Sequence, residues 1–322
     1  MPEEVSSKSA PAPAPSQGPQ TEALPPQMAV LSGMLMGGAD AIPGVSGGTI
    51  ALILGIYDRF IDSLHQVIRA PLHFRKAEER KSILEALRFL VPLGIGVAIA
   101  YVLVPKLLVG KTENPGLMIR PETAPACYAF FFGLVLVSLR EPWKRISQIS
   151  SVHFGVALLG CAAAALFAGL PHSSQEPAKW MLLLGGAGAI SVMVMPGVSG
   201  SLLLVILGQY QPIVNAVHDR NFGIVGIFLI GIVLGIITFI PLLRQMLKRH
   251  HDLTMAGLTG LMAGSLRALW PWKEGYDVKA TQMSNTAIDG HLASVIIAAL
   301  CGAAVVFLLA MLEKRMATAG KA

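Results

Sequence analysis

Two apolar stretches of this chain are too long for one membrane helix, and the same five residues interrupt both. The stretches run from residue 27 to 57 and from residue 178 to 210, and Pro-Gly-Val-Ser-Gly stands near the middle of each, at 43–47 and 196–200. Proline followed by glycine ends a helix, and each flank is shorter than the roughly 20 residues that cross a bilayer. We therefore predict two half-helices in each stretch, folded as a re-entrant hairpin. The residues at which we expect the break are Pro43, Gly44, Pro196 and Gly197.

The rest of the chain has the composition of a membrane protein. Of the 322 residues, 53% are hydrophobic and 14% are charged, whereas about 25% are charged in soluble domains. The formal net charge of +6 comes from short loops between apolar stretches, which is typical of topology signals and not of a nucleic-acid-binding face. We expect an all-α polytopic membrane protein. Its other apolar stretches are 89–109, 124–139, 152–170, 222–243, 254–270 and 291–312.

The Lys and Arg residues of the loops distinguish re-entrant hairpins from long crossings. With both long stretches re-entrant, the two termini and the loops at 58–88, 140–151 and 244–253 share one side of the membrane, which then carries 17 Lys and Arg against 8 on the other side. With both stretches crossing, the counts become 14 and 11. Because Lys and Arg accumulate in cytoplasmic loops, the larger difference favours re-entrant hairpins and cytoplasmic termini.

The chain also repeats itself. A shift of 153 positions places residues 43–65 over 196–218 with ten of 23 positions identical, and Ser-Leu-Arg followed by Pro-Trp-Lys occurs once in each half. Each half contains one hairpin and three crossings, an odd number, so the second half must be upside down relative to the first. Inverted repeats with broken helices are the architecture of secondary transporters.

These features predict four segments along the chain. A proline-rich tail, too polar to fold, precedes the first repeat, and a short cytoplasmic tail follows the second repeat. The predicted boundaries are 1–27 for the first tail, 28–170 and 171–316 for the repeats, and 317–322 for the last tail.

Small and hydroxyl-bearing residues follow each proline and suggest a site for an anion. Serine is a good N-cap, and glycine lets a ligand approach the backbone amides at a helix start, where the helix dipole is positive. Two such starts entering from opposite faces would converge on one anionic group. The alternative is that the small residues only allow tight packing of the hairpins. The candidate residues are Ser46, Gly47, Gly48, Thr49, Ser199, Gly200 and Ser201.

Three charged residues recur or stand out in the apolar part. Arg140 and Arg267 end the Ser-Leu-Arg motifs and could bind phosphate through two parallel hydrogen bonds, although an arginine at a helix end also serves as a topology anchor. Asp40 lies inside the first hairpin, and Met193 occupies its place in the second. A carboxylate at that depth could couple transport to a proton or sodium ion, or it could cap a backbone turn.

Other reactive residue types give no site. The three cysteines lie far apart in apolar stretches, which indicates packing. Tyr57 and Tyr210 are interpreted as anchors at the membrane surface. We expect no catalytic residue, no metal and no cofactor.

The first of two longer motifs lies in residues 37–64 and reads Gly-Gly-Ala-Asp-Ala-Ile-Pro-Gly-Val-Ser-Gly-Gly-Thr-Ile-Ala, followed by Gly-Ile-Tyr-Asp. The second is the later Met-Pro-Gly-Val-Ser-Gly. The two motifs resemble those of a bacterial membrane family formerly known as a domain of unknown function. That family is associated with polyprenyl-phosphate transport, and the resemblance extends over residues 28 to 312. It implies a flippase that returns undecaprenyl phosphate, the lipid carrier of envelope polysaccharide synthesis, to the cytoplasmic leaflet of the inner membrane. It also implies that the two motifs face the substrate, with Arg140 and Arg267 as candidate partners of the phosphate.

Two alternatives remain at this point. Undecaprenyl-pyrophosphate phosphatases carry a similar Pro-Gly-x-Ser-Arg-Ser-Gly motif, but here Gly47 and Gly200 stand in place of its arginine and no acidic pair precedes them. An ion-coupled symporter for a small anion could use the same helix starts. We expect a transporter that is not an enzyme, with a polyprenyl-phosphate lipid as its partner and no nucleic acid.

Overall fold

The computed structural model describes residues 24–41, 45–73, 77–111, 114–170, 177–276 and 284–319. These residues are almost entirely helical. The helices up to residue 170 are α1 Pro26–Asp40, α2 Gly47–Ile53, α3 Tyr57–His73, α4 Ala77–Leu108, α5 Ala124–Ser138, α6 Arg140–Lys144 and α7 Ser151–Phe167. Those that follow are α8 Lys179–Val194, α9 Gly200–Ile206, α10 Tyr210–His218, α11 Phe222–Arg249, α12 His251–Ser265 and α13 Leu292–Ala319. Two short strands after α4, β1 Gly110–Lys111 and β2 Asn114–Pro115, pair antiparallel.

Several helices have the length and apolarity to cross a membrane. Within the described residues these are Glu79–Leu108, Ala124–Lys144, Phe222–Arg249 and Leu292–Met311, with a fifth if α9 and α10, bent by 106°, form one span. Many large apolar side chains are exposed on the surface of the protein, for example Leu159. A multi-pass membrane protein is therefore confirmed, and each predicted apolar stretch contains at least one helix.

Both long apolar stretches are divided into two helices. The first helix of the second stretch ends at Val194 and the next begins at Gly200. Between them Gly197 has a φ of +87°, a backbone conformation that residues with a side chain rarely adopt. In the first stretch, α1 ends at Asp40 and α2 begins at Gly47. The predicted break residues Pro43 and Gly44 lie outside the described residues.

The first described helix begins close to the predicted end of the proline-rich tail. The first helix begins at Pro26, so the end of the predicted 1–27 tail is helical. Proline suits this position because the first N–H of a helix has no partner within the helix. Residues 1–23 lie outside the described part of the chain.

Four long helix pairs make up most of the protein. Within the halves, α1 packs along α4 and α8 packs along α11, and between the halves α5 packs along α13 and α7 packs along α12. The pair within the first half, α1 with α4, therefore has a counterpart within the second half, α8 with α11. Glycines allow the backbones to approach closely: a Cβ at Gly33 would overlap the carbonyl of Leu93, and one at Gly231 would overlap that of Leu183.

This close packing gives a first stability prediction. Changing Gly133→Val on α5 should lower the thermal unfolding midpoint in detergent and the yield of folded protein, because a Cβ there would overlap the Ala299 carbonyl on α13. Overpacking of this kind typically costs about 1–3 kcal/mol or more. The matched control is Gly155→Val on α7, where a Cβ would meet no atom within 4 Å. Equal unfolding midpoints for the two variants would contradict the packing of α5 on α13.

Candidate functional site at the two hairpin tips

The two helix breaks lie against each other in the interior. We call residues 45–49 the first tip and residues 193–201 the second tip. The Oγ of Ser46 donates to the carbonyl oxygen of Met195 at 2.9 Å, and the carbonyl of Met193 lies 3.4 Å away. Ser46 is 1% exposed. Its hydroxyl therefore joins two segments that are about 150 residues apart in the sequence.

A second hydrogen bond joins the tips in the opposite direction. The buried N–H of Gly197 donates to Oγ1 of Thr49 at 3.1 Å, and Thr49 is completely buried. Gly48 also lies against the second tip, since a Cβ there would stand 2.9 Å from the carbonyl oxygen of Val194. Ser46, Gly48 and Thr49 of the first tip thus contact the second tip directly.

The interpretation of Tyr57 as a surface anchor is wrong. The residue is completely buried, and its hydroxyl donates to the carbonyl oxygen of Val194 at 3.3 Å. It therefore supports the second tip from the start of α3. Tyr210, the equivalent residue of the second half, is 40% exposed.

Asp40 is the last residue of α1, and its carboxylate lies at the start of α2. Its Oδ1 accepts the N–H of Gly47 at 2.7 Å, and the residue is 6% exposed. This contact is the backbone cap that the sequence left open as one of two roles. The carboxylate therefore lies where the first amides of α2 would otherwise receive an anion.

The second tip has a different set of partners. Oγ of Ser199 lies 2.8 Å from Oγ of Ser201 and accepts the N–H of Leu202 at 3.5 Å. Ser199 is 2% exposed and Ser201 is half-buried. The amides of Gly200 and Ser201 occupy the first two helical positions, where the helix itself supplies no acceptor.

The donors of the first tip are largely engaged inside the protein. Gly47 donates to Asp40, Gly48 donates to Ser46 at 3.2 Å, and Thr49 donates to the Ser46 carbonyl at 3.0 Å. An anion would therefore find more available donors at the second tip. The two tips are in contact but they are not equivalent.

The two candidate arginines lie at helix ends and not beside the tips. Arg267 is exposed, and its Nη1 donates at 2.9 Å to the carbonyl of Ala165 in the last turn of α7. Arg140 is the first residue of α6 and is also exposed. Within the described residues, neither side chain hydrogen-bonds to a tip residue. Each would meet a phosphate only away from the place where the tips touch.

Sequence reasoning missed the ion pairs that hold α3 in place. Arg145 pairs with Asp58 on α3 at 3.0 Å and donates to the carbonyl of Leu52 at 3.3 Å. Asp62 on the same helix pairs with Arg244 on α11. These partners are far apart in the sequence, so no local pattern could have revealed them.

Groups that bind metals or form disulfides give no further site here. In the part of the chain that the structure describes, no three His, Cys, Asp or Glu residues are placed to hold a metal ion. All three cysteines are free, and Cys301 is exposed on α13.

Comparison with known proteins identifies the family. The model of the undecaprenyl phosphate translocase-like family matches residues 36–288. A relative from Vibrio cholerae named polyprenyl-phosphate transporter is 37% identical over 250 residues, which cover 76% of this chain and 77% of the relative. A relative of the same name from Staphylococcus aureus is 27% identical over 262 residues, covering 75% and 85%. No solved structure matches the chain. The family match covers well over half of the sequence, and the chain belongs to the undecaprenyl phosphate translocase-like family.

Proposed function

We propose that this protein is a polyprenyl-phosphate transporter that moves undecaprenyl phosphate from the outer to the cytoplasmic leaflet of a bacterial inner membrane. The observation that carries the proposal is the direct contact between two Ser-Gly helix breaks inside an apolar helical protein, through Ser46 to Met195 and Thr49 to Gly197. Broken helices that meet in this way form the substrate sites of secondary transporters. The names of both curated relatives support the same activity.

The proposed architecture is a pair of inverted repeats, residues 28–170 and 171–316, each with a re-entrant hairpin and three crossings. The matching helix pairs of the two halves support it, because α1 with α4 corresponds to α8 with α11. The excess of Lys and Arg on one side supports cytoplasmic termini. Alternating access then consists of rocking one repeat against the other around the tips.

The phosphate head group is the part of the lipid that needs help to cross. Its dehydration is costly, whereas the polyprenyl chain remains in the hydrocarbon of the bilayer throughout. Hydroxyls of Ser199 and Ser201 and the amides of Gly200 and Ser201 would replace part of the lost hydration. The first tip, residues Ser46, Gly47, Gly48 and Thr49, would complete this shell once the tips move apart.

Arg140 and Arg267 would act before and after this central step. They lie on opposite sides of the membrane in the proposed topology, so one could receive the phosphate from the outer leaflet and the other could release it at the inner leaflet. An arginine keeps its charge at any physiological pH and matches the geometry of phosphate. The proposed site contains hydroxyls, amides and guanidinium groups, which bind a phosphate without changing its bonds, and we assign no catalytic residue.

The proposal is tested by measuring undecaprenyl phosphate at the cell surface and in vesicles. Deletion of the gene should increase sensitivity to an antibiotic that captures undecaprenyl phosphate on the outer leaflet, and the wild-type gene should restore resistance. Purified protein in liposomes should move a fluorescent short-chain polyprenyl phosphate between leaflets. Uptake of inorganic phosphate without lipid movement would indicate a small-anion symporter, and release of phosphate from the pyrophosphate lipid would indicate a phosphatase.

Removal of either candidate arginine should slow transport. We expect Arg140→Ala and Arg267→Ala each to reduce the liposome rate at least fivefold, because each loses a two-point contact with the phosphate. Exposed cations on the same two sides, Arg249 and Lys179, provide the controls, and their Ala variants should keep at least half of the wild-type rate. Wild-type rates in both arginine variants would remove these residues from the pathway.

A further inference from the structure

A buried lysine lies in the loop between α12 and α13, outside the membrane-spanning helices. Lys273 is 8% exposed, and its Nζ donates to Oδ1 of Asn285 at 3.0 Å. The ammonium group also lies 5.0 Å from the centre of the Tyr128 ring, a distance at which the ring face attracts a cation. Backbone hydrogen bonds hold the loop, with Thr286 donating to the Trp272 carbonyl at 3.0 Å. The lysine is therefore held in a formed site.

The charge of this lysine is not neutralised within the described residues. Every ion pair there involves other segments, namely 58–62, 141–145, 244–248 and 251–252, and Lys273 has no carboxylate partner. Burial lowers the pKa of Lys273 to about 8, so the group still carries a proton at neutral pH. A desolvated cation without a counterion is unfavourable, and an arriving anion would relieve that cost.

The other copy of the same motif provides an internal comparison. Pro-Trp-Lys occurs at residues 142–144 as well as 271–273. The side chain of Lys144 is 44% exposed and pairs with Glu141 three residues earlier. The motif itself therefore does not require a buried, unneutralised lysine. Of the two copies, which both lie in the described part of the chain, only the second has a buried lysine.

This lysine is connected to residues that already belong to the proposed pathway. The amide Nδ2 of Asn285 donates to the main-chain carbonyl of Arg267 at 2.8 Å, so the asparagine that holds Lys273 is also bonded to the backbone of Arg267. The guanidinium of Arg267 itself donates to the carbonyl of Ala165 on α7. Tyr128 is completely buried and belongs to the same apolar core as Val45 of the first tip. In the proposed topology this loop faces the outside.

We propose that Lys273, with Asn285 and Arg267, forms an outward-facing binding site for a phosphate monoester, the head group of the lipid before it reaches the tips. This inference rests on the proposed function. Lys273 supplies an ammonium group at a fixed position, and Asn285 holds it there. Arg267, whose main chain is bonded to Asn285, would supply the second cation once its guanidinium leaves the carbonyl of Ala165. The site would explain why Lys273 is buried with no counterion among the described residues.

The test compares variants of the purified protein in nanodiscs. Lys273→Met should bind a short-chain polyprenyl phosphate at least tenfold more weakly than the wild type, whereas Lys144→Met should bind within twofold. Lys273→Met should also unfold at the same temperature as the wild type or higher, since an unneutralised buried charge is lost. A lysine with a purely structural role would give a lower unfolding temperature and unchanged affinity. A second variant, Asn285→Asp, places a carboxylate beside Lys273 and should also weaken binding about tenfold.

The possible results separate this inference from the proposed function. Wild-type affinity in both folded variants, together with normal wild-type transport, would overturn the inference and leave the function standing. A wild-type protein that neither binds nor moves the lipid would overturn the function. In that case, binding of inorganic phosphate that is lost in Lys273→Met would assign the site to a free phosphate, and no such binding would overturn the inference too.

Discussion

A double variant with Ser46→Ala and Thr49→Val is expected to translocate polyprenyl phosphate at least tenfold more slowly than the wild-type protein in liposomes. Valine has the shape of threonine but offers no oxygen to the buried N–H of Gly197. A buried donor without a partner costs about 1–3 kcal/mol. Alanine at position 46 removes the donor to the Met195 carbonyl and the acceptor of the Gly48 amide. The two tips would no longer hold each other in register.

The same chemistry at positions away from the tips provides the control. Thr238 and Ser294 are exposed. Their hydroxyls donate at 2.8 Å to the carbonyls of Leu234 and His291, respectively. Thr238→Val and Ser294→Ala together should leave the rate within twofold of wild type. If the tip variant unfolds at the normal temperature and transports at the normal rate, the contact between the tips has no role in transport.

The sequence predicts the elements of the site better than their relations. Pro-Gly breaks a helix through local sterics, so the division of both long stretches follows from the residues themselves. The hydrogen bond between the Asp40 carboxylate and the first tip does not follow from the local sequence. Asp40 could either serve a coupling ion or cap a turn, and only the 2.7 Å contact with the Gly47 amide shows the cap. Whether a donor is available depends on neighbours in space, which periodicity and composition do not report.

Long-range contacts explain the remaining differences. Tyrosine at the end of an apolar stretch is typical of a membrane surface, yet Tyr57 is buried because the chain returns at Val194 to accept its hydroxyl. Likewise Lys144 and Lys273 share a local motif but differ in burial. The neighbours of Lys273 come from a separate helix and from the end of its own loop. A repeat in the sequence predicts equivalent positions, and it does not predict equivalent surroundings.

The second large effect is expected at Asp40, whose carboxylate caps the first tip. We propose that Asp40 couples transport to a proton or sodium ion, because it is the one carboxylate of α1 and Met193 stands in its place in the second half. Asp40→Asn keeps an oxygen to accept the Gly47 amide but cannot exchange a proton or bind a cation with a full charge. The variant should fold normally and should translocate the lipid at a rate that no longer responds to an imposed ion gradient. In the wild type, each pH unit supplies about 1.4 kcal/mol per coupled proton.

Two further variants separate coupling from capping at this position. Asp40→Leu removes the acceptor as well as the charge, so it should also lower the unfolding temperature by leaving the buried Gly47 amide without a partner. Asp289→Asn changes an exposed carboxylate in a loop and should leave both the rate and its gradient response unchanged. An Asp40→Asn protein that still accelerates in a proton or sodium gradient would restrict Asp40 to the backbone cap. An Asp40→Asn protein that loses the response but keeps its stability would show that the carboxylate has both functions. The amide can still accept the Gly47 N–H and hold the first tip, but it cannot sense the ion.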